Sequence, residues 1–178
     1  NNSDLQDHMT PMNDMQQSRQ YKKSMSALMK TLRNQGYKTI NVIGPPGSGK
    51  TTLSSLIAQN DKWVHKNLDT LLFDDSGTKS TSPSSVIMKV IRSEKHIVLD
   101  GLYYSSLKSR IESVDLFVVL DTNMLTCSRN ILHRSLRAQK LKSAEKISLS
   151  LIRYFFKYFF IFKRGIHRVI PVKKIYHF

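Results

Sequence analysis

The stretch Gly44-Pro45-Pro46-Gly47-Ser48-Gly49-Lys50-Thr51, with Thr52 directly behind it, decides the fold. It satisfies G-x-x-x-x-G-K-[ST] at every required position. The apolar run Lys38 to Ile43 (KTINVI) precedes it as a short buried strand, and a helix from Lys50 to about Gln59 follows, burying Leu53, Leu56 and Ile57. Glycines let such a loop curl so that successive N–H groups point at phosphate oxygens, and the helix start adds its positive dipole end. The reading is a nucleoside triphosphate site formed by Gly44, Pro45, Pro46, Gly47, Ser48, Gly49, Lys50, Thr51 and Thr52. Lys50 is expected at the β- and γ-phosphates, and the Thr51 hydroxyl on Mg²⁺. The loop alone does not choose among kinases, GTPases, motor ATPases and helicases.

Length and composition bound the rest. With 178 residues and 40% hydrophobic content, the chain suits one α/β domain with a proper core. Its single cysteine, Cys127, excludes an internal disulfide and reads as a small buried hydrophobe, which fits a reducing compartment. Residues 1–20 are polar, lack an apolar stretch of signal-peptide type, and read as a disordered lead to a domain over 21–178, so a cytoplasmic location is expected. The net charge of +15 is polarised. From Arg129 onward thirteen Lys or Arg face one acid, Glu145, giving +12, against +3 for everything before. Such a basic part (129–178) is the footprint of a protein that holds polyanions, whether nucleotide, nucleic acid or anionic membrane; the plain alternative is a solvated basic face.

The remaining elements follow in order. Met25, Leu28, Met29 and Leu32 fall at helical spacing from Tyr21, with Gly36 as the stop, so an amphipathic helix packing on the domain is expected. Asn60 to Lys66 makes a turn, and a second strand is expected within Val64 to Phe73, with Asp69 near its end. Residues 74–85 (DDSGTKSTSPSS) form a loop of functional length, closed by Ser82-Pro83 as cap and first position of a helix to about Lys95. His96 to Gly101 is a third strand ending in Asp100, where a carboxylate beside the cradle can hold Mg²⁺ through water. Tyr103 to Ile111 opens a helix that turns Arg110 toward the site, and Asp115 to Asp121 is a fourth strand. A helix from Asn123 to about Arg137 is expected to turn Met124, Ile131, Leu132 and Leu136 inward, with Arg129, His133, Arg134 and Arg137 on another stripe; guanidinium groups there can converge on a phosphoryl group. Leu149 to Phe162 (LSLIRYFFKYFFIF) is too short and too charged to span a bilayer and reads as a helix across the sheet, with a membrane-surface helix as the alternative. Ile166 to Ile175 is expected as an edge strand that tolerates Pro171.

Strand, cradle and helix, then Leu68-Asp69, Leu99-Asp100-Gly101 and an arginine-rich helix, resemble the adenylate-kinase-related, nucleoside-monophosphate-kinase-like branch of P-loop proteins over roughly residues 38–165. Within it the chain looks most like the bacterial proteins known as DNA topology modulation proteins. The resemblance implies a three-layer α/β P-loop NTPase fold, with a five-stranded parallel sheet of order 2-3-1-4-5, and Mg·ATP as phosphate donor. It implies Asp69, Gly101 and Arg110 at the acceptor, Asp100 at the metal with Thr51, and Arg129, Arg134 and Arg137 as lid arginines. The branch usually carries Asn after Asp-Gly, where this chain has Leu102.

These readings combine into an ATP-dependent kinase in which Lys50, Asp69, Asp100, Arg129 and Arg134 act in transfer to a nucleotide or nucleic-acid group. Two alternatives stand beside it: a phage-type kinase acting on hydroxymethylated bases in DNA, and an ATP-binding, nucleic-acid-associated regulator that transfers no phosphate.

Overall fold

Residues 10–60, 63–73, 81–103, 106–140 and 170–178 are described in a computed structural model of the chain. They divide into two compact units, one comprising the N-terminal segment to Gly36 together with Phe178, the other Tyr37–His177. In the first, α1 (Thr10–Gln35) ends at Gly36, whose φ of +62° suits a glycine helix stop, and the rings of Tyr21 and Phe178 meet edge to face at 5.4 Å. The helix therefore begins well before Tyr21, inside the stretch expected to be a disordered lead. Pro11 stands in its first turn, where a missing N–H forfeits no helical bond.

The second unit is organised by β1 (Thr39–Ile43), β2 (Val64–Asn67), β3 (Ile97–Asp100), β4 (Leu116–Val119) and β5 (Ile175–His177). All pair in parallel, in the order β2-β3-β1-β4-β5, which is the expected sheet. β1, β3 and β4 are buried along their whole length, as apolar strands of a covered parallel sheet must be. Register then sorts side chains into rows. Lys66, Leu99, Asn41, Phe117 and Ile175 form one row across the sheet, and Asn67, Asp100, Val42, Val118 and Tyr176 form the next, pointing to the opposite face.

Helices cover both faces. On the Leu99 face, Ile87 and Ile91 of α4 (Pro83–Ser93) pack with Leu68, Leu72, Ile97 and Leu99, while Leu107 of α5 (Leu107–Arg110) packs with Ile43, Val114, Phe117 and Ile170. On the Asp100 face lies α2 (Lys50–Asn60), whose Thr51 meets Asp100 and whose Leu53 and Ile57 are fully buried. Among the described residues, no helix is long and apolar enough to cross a membrane.

Further elements differ from the sequence-based expectation. The second strand, expected within Val64 to Phe73, stops at Asn67, and α3 (Leu68–Leu72) takes over. Leu68 and Leu72 stand one helical turn apart and both enter the core, while Asn67 caps the turn, which a strand would forbid. The edge strand begins only at Ile175, because Val172–Lys174 forms a 3-10 turn in which Lys174 N–H donates to Pro171 O at 2.8 Å. The Lys174 ammonium fastens this turn on the carbonyls of Ile111 and Val114, each at 2.8 Å. In α6 (Met124–Lys140), Met124 and Leu132 are exposed rather than inward, Cys127 is fully buried, and the Leu136 side chain lies outside the described set. The stretch 149–162, residues 74–80 of the expected loop and most of the basic C-terminal part (141–169) lie outside the described residues.

One exposed carboxylate starts the central strand. Asp115 Oδ2 accepts from the N–H groups of Lys38 and Thr39, both at 2.8 Å, and fixes β1 beside β4. Asp115→Ala is expected to lower unfolding stability by about 2 kcal/mol in urea titration, with the denaturant slope unchanged.

Candidate active site

Backbone conformation shapes the cradle first. Gly47 and Gly49 adopt φ of +76° and +91°, a region L side chains rarely enter. Gly47 has a second constraint, because a Cβ there would lie 2.5 Å from the Cys127 carbonyl oxygen and 3.0 Å from Ile131 Cγ1. The loop thus touches the backbone of α6. Asn130 Nδ2 donates to Gly47 O at 2.8 Å, and the Thr122 hydroxyl donates to Ser48 O at 3.4 Å, so two side chains from the β4–α6 region hold the loop from outside. The Ser48 hydroxyl is buried without a hydrogen-bond partner among the described residues, a polar atom that a phosphate oxygen would satisfy.

Lys50 folds over this loop and donates to Pro45 O at 2.9 Å. Burial pushes its ammonium below the usual lysine range; Asp100 and Asp69 pull the other way, and the Arg134 charge adds to the lowering. The carboxylates of Asp100 and Asp69 and the guanidinium of Arg134 therefore all act on the same ammonium. Cys127 also lies within its electrostatic reach.

Asp100 is 2% exposed, which a carboxylate tolerates only when bonded. Its Oδ2 accepts the Thr51 hydroxyl at 2.5 Å and Asn67 Nδ2 at 3.2 Å, with His65 Nε2 at 3.8 Å. Asp69 stands in the first turn of α3, reached by water. The surrounding walls still displace enough solvent to push its carboxyl above the usual range, against the pull of Lys50 and with a further push from Asp100.

The arginines separate. Arg129 and Arg134 are exposed on α6, and Arg134 stands one turn beyond Asn130, on the side that grips the cradle. Arg137 falls within α6, its side chain outside the described set. Arg110, expected to face an acceptor, is fully buried. Its Nε donates to Asn41 Oδ1 at 3.0 Å, its Nη1 to Ser106 Oγ at 2.7 Å and its Nη2 to the Leu102 carbonyl. Asn41 in turn donates to the carbonyls of Leu99 (3.2 Å) and Gly101 (2.9 Å), on either side of Asp100. Gly101, also expected at the acceptor, spends both backbone groups on β1: its N–H donates to Val42 O and its carbonyl takes Asn41. Arg110 and Gly101 therefore shape the turn after β3, where Gly101 has φ +121° and Tyr103 φ +35°.

Sequence reasoning passed over Asn41, Asn67 and Asn130. Only Asn41 left a signal, as a polar interruption of an otherwise apolar central strand.

No family model matches the chain, and no curated protein matches it. Solved structures similar to it include a gluconokinase from Sinorhizobium meliloti 1021, at 17% identity over 67% of this chain and 88% of that one, with a TM-score of 0.40. The VpsO kinase domain matches at 15% identity over 71% and 93%, TM-score 0.42. A possible uridine kinase from Bacillus stearothermophilus matches at 13% identity over 68% and 91%, TM-score 0.43.

Two outcomes follow from this geometry. Gly47→Ala sets a Cβ against the Cys127 carbonyl in a left-handed conformation, and is expected to weaken ATP binding at least about tenfold by calorimetry while lowering stability by about 2 kcal/mol. Arg110→Met strands the acceptors on Asn41 and Leu102, and is expected to cost about 3 kcal/mol in chemical denaturation.

Proposed function

We propose that the chain is a small ATP-dependent phosphotransferase that moves the γ-phosphate of Mg·ATP to a nucleotide or nucleic-acid group. The observation that carries this is the convergence on Lys50: the cradle lysine feels Asp100, bonded to the Thr51 hydroxyl, and Asp69, a raised carboxyl open to water. A binding module needs only the first of these acids. The polarised +15 charge supports a polyanionic acceptor.

The residues divide the work. Backbone N–H groups of the cradle and the Ser48 hydroxyl bind the β- and γ-phosphates, and Lys50 exchanges its bond to Pro45 O for phosphate oxygens. Thr51 and Asp100 offer hard oxygen donors, and no cluster of three or more His, Cys, Asp or Glu exists among the described residues, which fits Mg²⁺ held mainly by phosphate and water. Bound there, the ion would neutralise charge on the β- and γ-phosphates. Asp69 orients the acceptor hydroxyl and takes its proton as the acceptor oxygen bonds to the γ-phosphorus and the bond to the β–γ bridging oxygen breaks, releasing ADP. Arg134, on the cradle side of α6, meets the charge on the transferring group, with Arg129 and Arg137 on the same helix.

The test is a γ-labelled ATP screen across nucleotides, DNA with and without hydroxymethylated bases, RNA and small metabolites. Label on a nucleotide or nucleic acid supports the reading. Label on metabolites alone overturns the acceptor class, and ATP binding with no transfer leaves the regulator. Lys50→Ala is expected to abolish transfer. Asp69→Asn is expected to keep ATP affinity within about twofold and lower kcat about 10²- to 10⁴-fold. Because the Asp69 carboxyl is raised, the acid limb of the kcat profile lies above the ordinary aspartate range and disappears in Asp69→Asn. The stability sign agrees: ionising a raised carboxyl costs folded stability as pH rises through its folded pKa, so Asp69→Asn is no less stable at neutral pH.

A further inference from the structure

Asn67 ends β2 and caps α3, and its two amide ends serve different masters. Oδ1 accepts from the N–H of Asp69 at 2.8 Å and of Thr70 at 3.4 Å. Nδ2 donates to Asp100 Oδ2 at 3.2 Å. The contact is set by register, since Asn67 and Asp100 are Cα partners at the carboxyl ends of neighbouring parallel strands.

On the phosphotransferase reading above, we propose that Asn67 is a positioning residue that couples the two acids of the site, orienting the Asp100 carboxylate for the metal while holding the backbone turn that carries Asp69. Only an amide does both. Aspartate caps a helix but brings no donor and sets a second negative charge against Asp100; serine caps but falls short of the neighbouring strand; alanine does neither. Every described hydrogen-bonding partner of Asp100, Thr51 and Asn67, together with the nearby His65, is on Oδ2, so Asn67 loads that one oxygen. The same side chain satisfies the second and third N–H groups of α3, which otherwise point into solvent at the acceptor side.

Two variants separate the two bonds. Asn67→Ser keeps a capping oxygen and gives up the bond to Asp100; Asn67→Ala removes both. Calorimetric titration with ATP, with and without MgCl₂, gives the factor by which Mg²⁺ tightens binding, and hydrogen exchange of nucleotide-free protein gives the protection of the Asp69 and Thr70 amides. Asn67→Ser is expected to reduce the Mg²⁺ factor about tenfold with amide protection within about twofold of wild type. Asn67→Ala is expected to lose both, with protection falling about fivefold or more. A wild-type Mg²⁺ factor in Asn67→Ser, or retained protection in Asn67→Ala, overturns the assignment. If wild-type protein binds Mg·ATP and transfers no phosphate to any acceptor, the phosphotransferase reading falls and these two measurements still decide the role of Asn67.

Discussion

A carboxylate that is 2% exposed at the end of an apolar strand is the constraint the second unit is built to meet. A carboxylate buried this deeply costs several kcal/mol when left unbonded. The fold answers with a hydroxyl from the first turn of α2 and an amide from the end of β2, and His65 of β2 stands 3.8 Å away. Behind it, Asn41 on the opposite face holds the carbonyls of Leu99 and Gly101, and Arg110 holds Asn41. A buried arginine on this largely apolar face makes sense as a fastening for the turn that ends β3. Without it the left-handed Gly101 and Tyr103 would have fewer reasons to stay where they are.

The cradle is held by a different device. Its glycines supply conformations, but its outer side is fixed by contact with α6, where the Cys127 carbonyl and Ile131 leave no room for a side chain at position 47. Asn130 completes that contact with a hydrogen bond to the loop's own carbonyl. One turn further along the same helix stands Arg134, whose charge reaches Lys50. The glycine loop and the arginine helix are therefore joined through Gly47.

Much of this architecture was legible in the chain. KTINVI, HIVLD and DLFVVLD are apolar runs of strand length separated by helix-length segments, and in a parallel sheet such runs have few alternatives. The cradle and Asp100 were legible because their spacing is a backbone property. The end of β2 was not, since Leu68-Asp69-Thr70-Leu71-Leu72 is apolar enough for a strand and only the cap from Asn67 and the pocket beside Ile87 and Leu99 turn it into a helix. On α6 the expected inward face holds for Ile131, which meets the glycine loop, and fails for Met124 and Leu132. Helical spacing assigns Met124 and Leu132 to one side, but contact with the glycine loop selects the side bearing Cys127.

What the sequence by itself determined is the chemistry on offer: a glycine-rich loop that can only curl, a lysine and a hydroxyl at its end, and a strand closed by an acid. Those are local facts, fixed by allowed backbone angles and by side-chain type within a few residues. Tertiary structure decided which polar groups face the site and which serve as fasteners. Arg110 and Arg134 are equally good phosphate ligands on paper, yet one is buried among carbonyl and amide acceptors while the other stands on the helix beside Lys50. The reason is that a guanidinium's role depends on where the fold places it, and strand register, which brings Asn41, Leu99 and Asn67 to their places, is a property of the whole sheet.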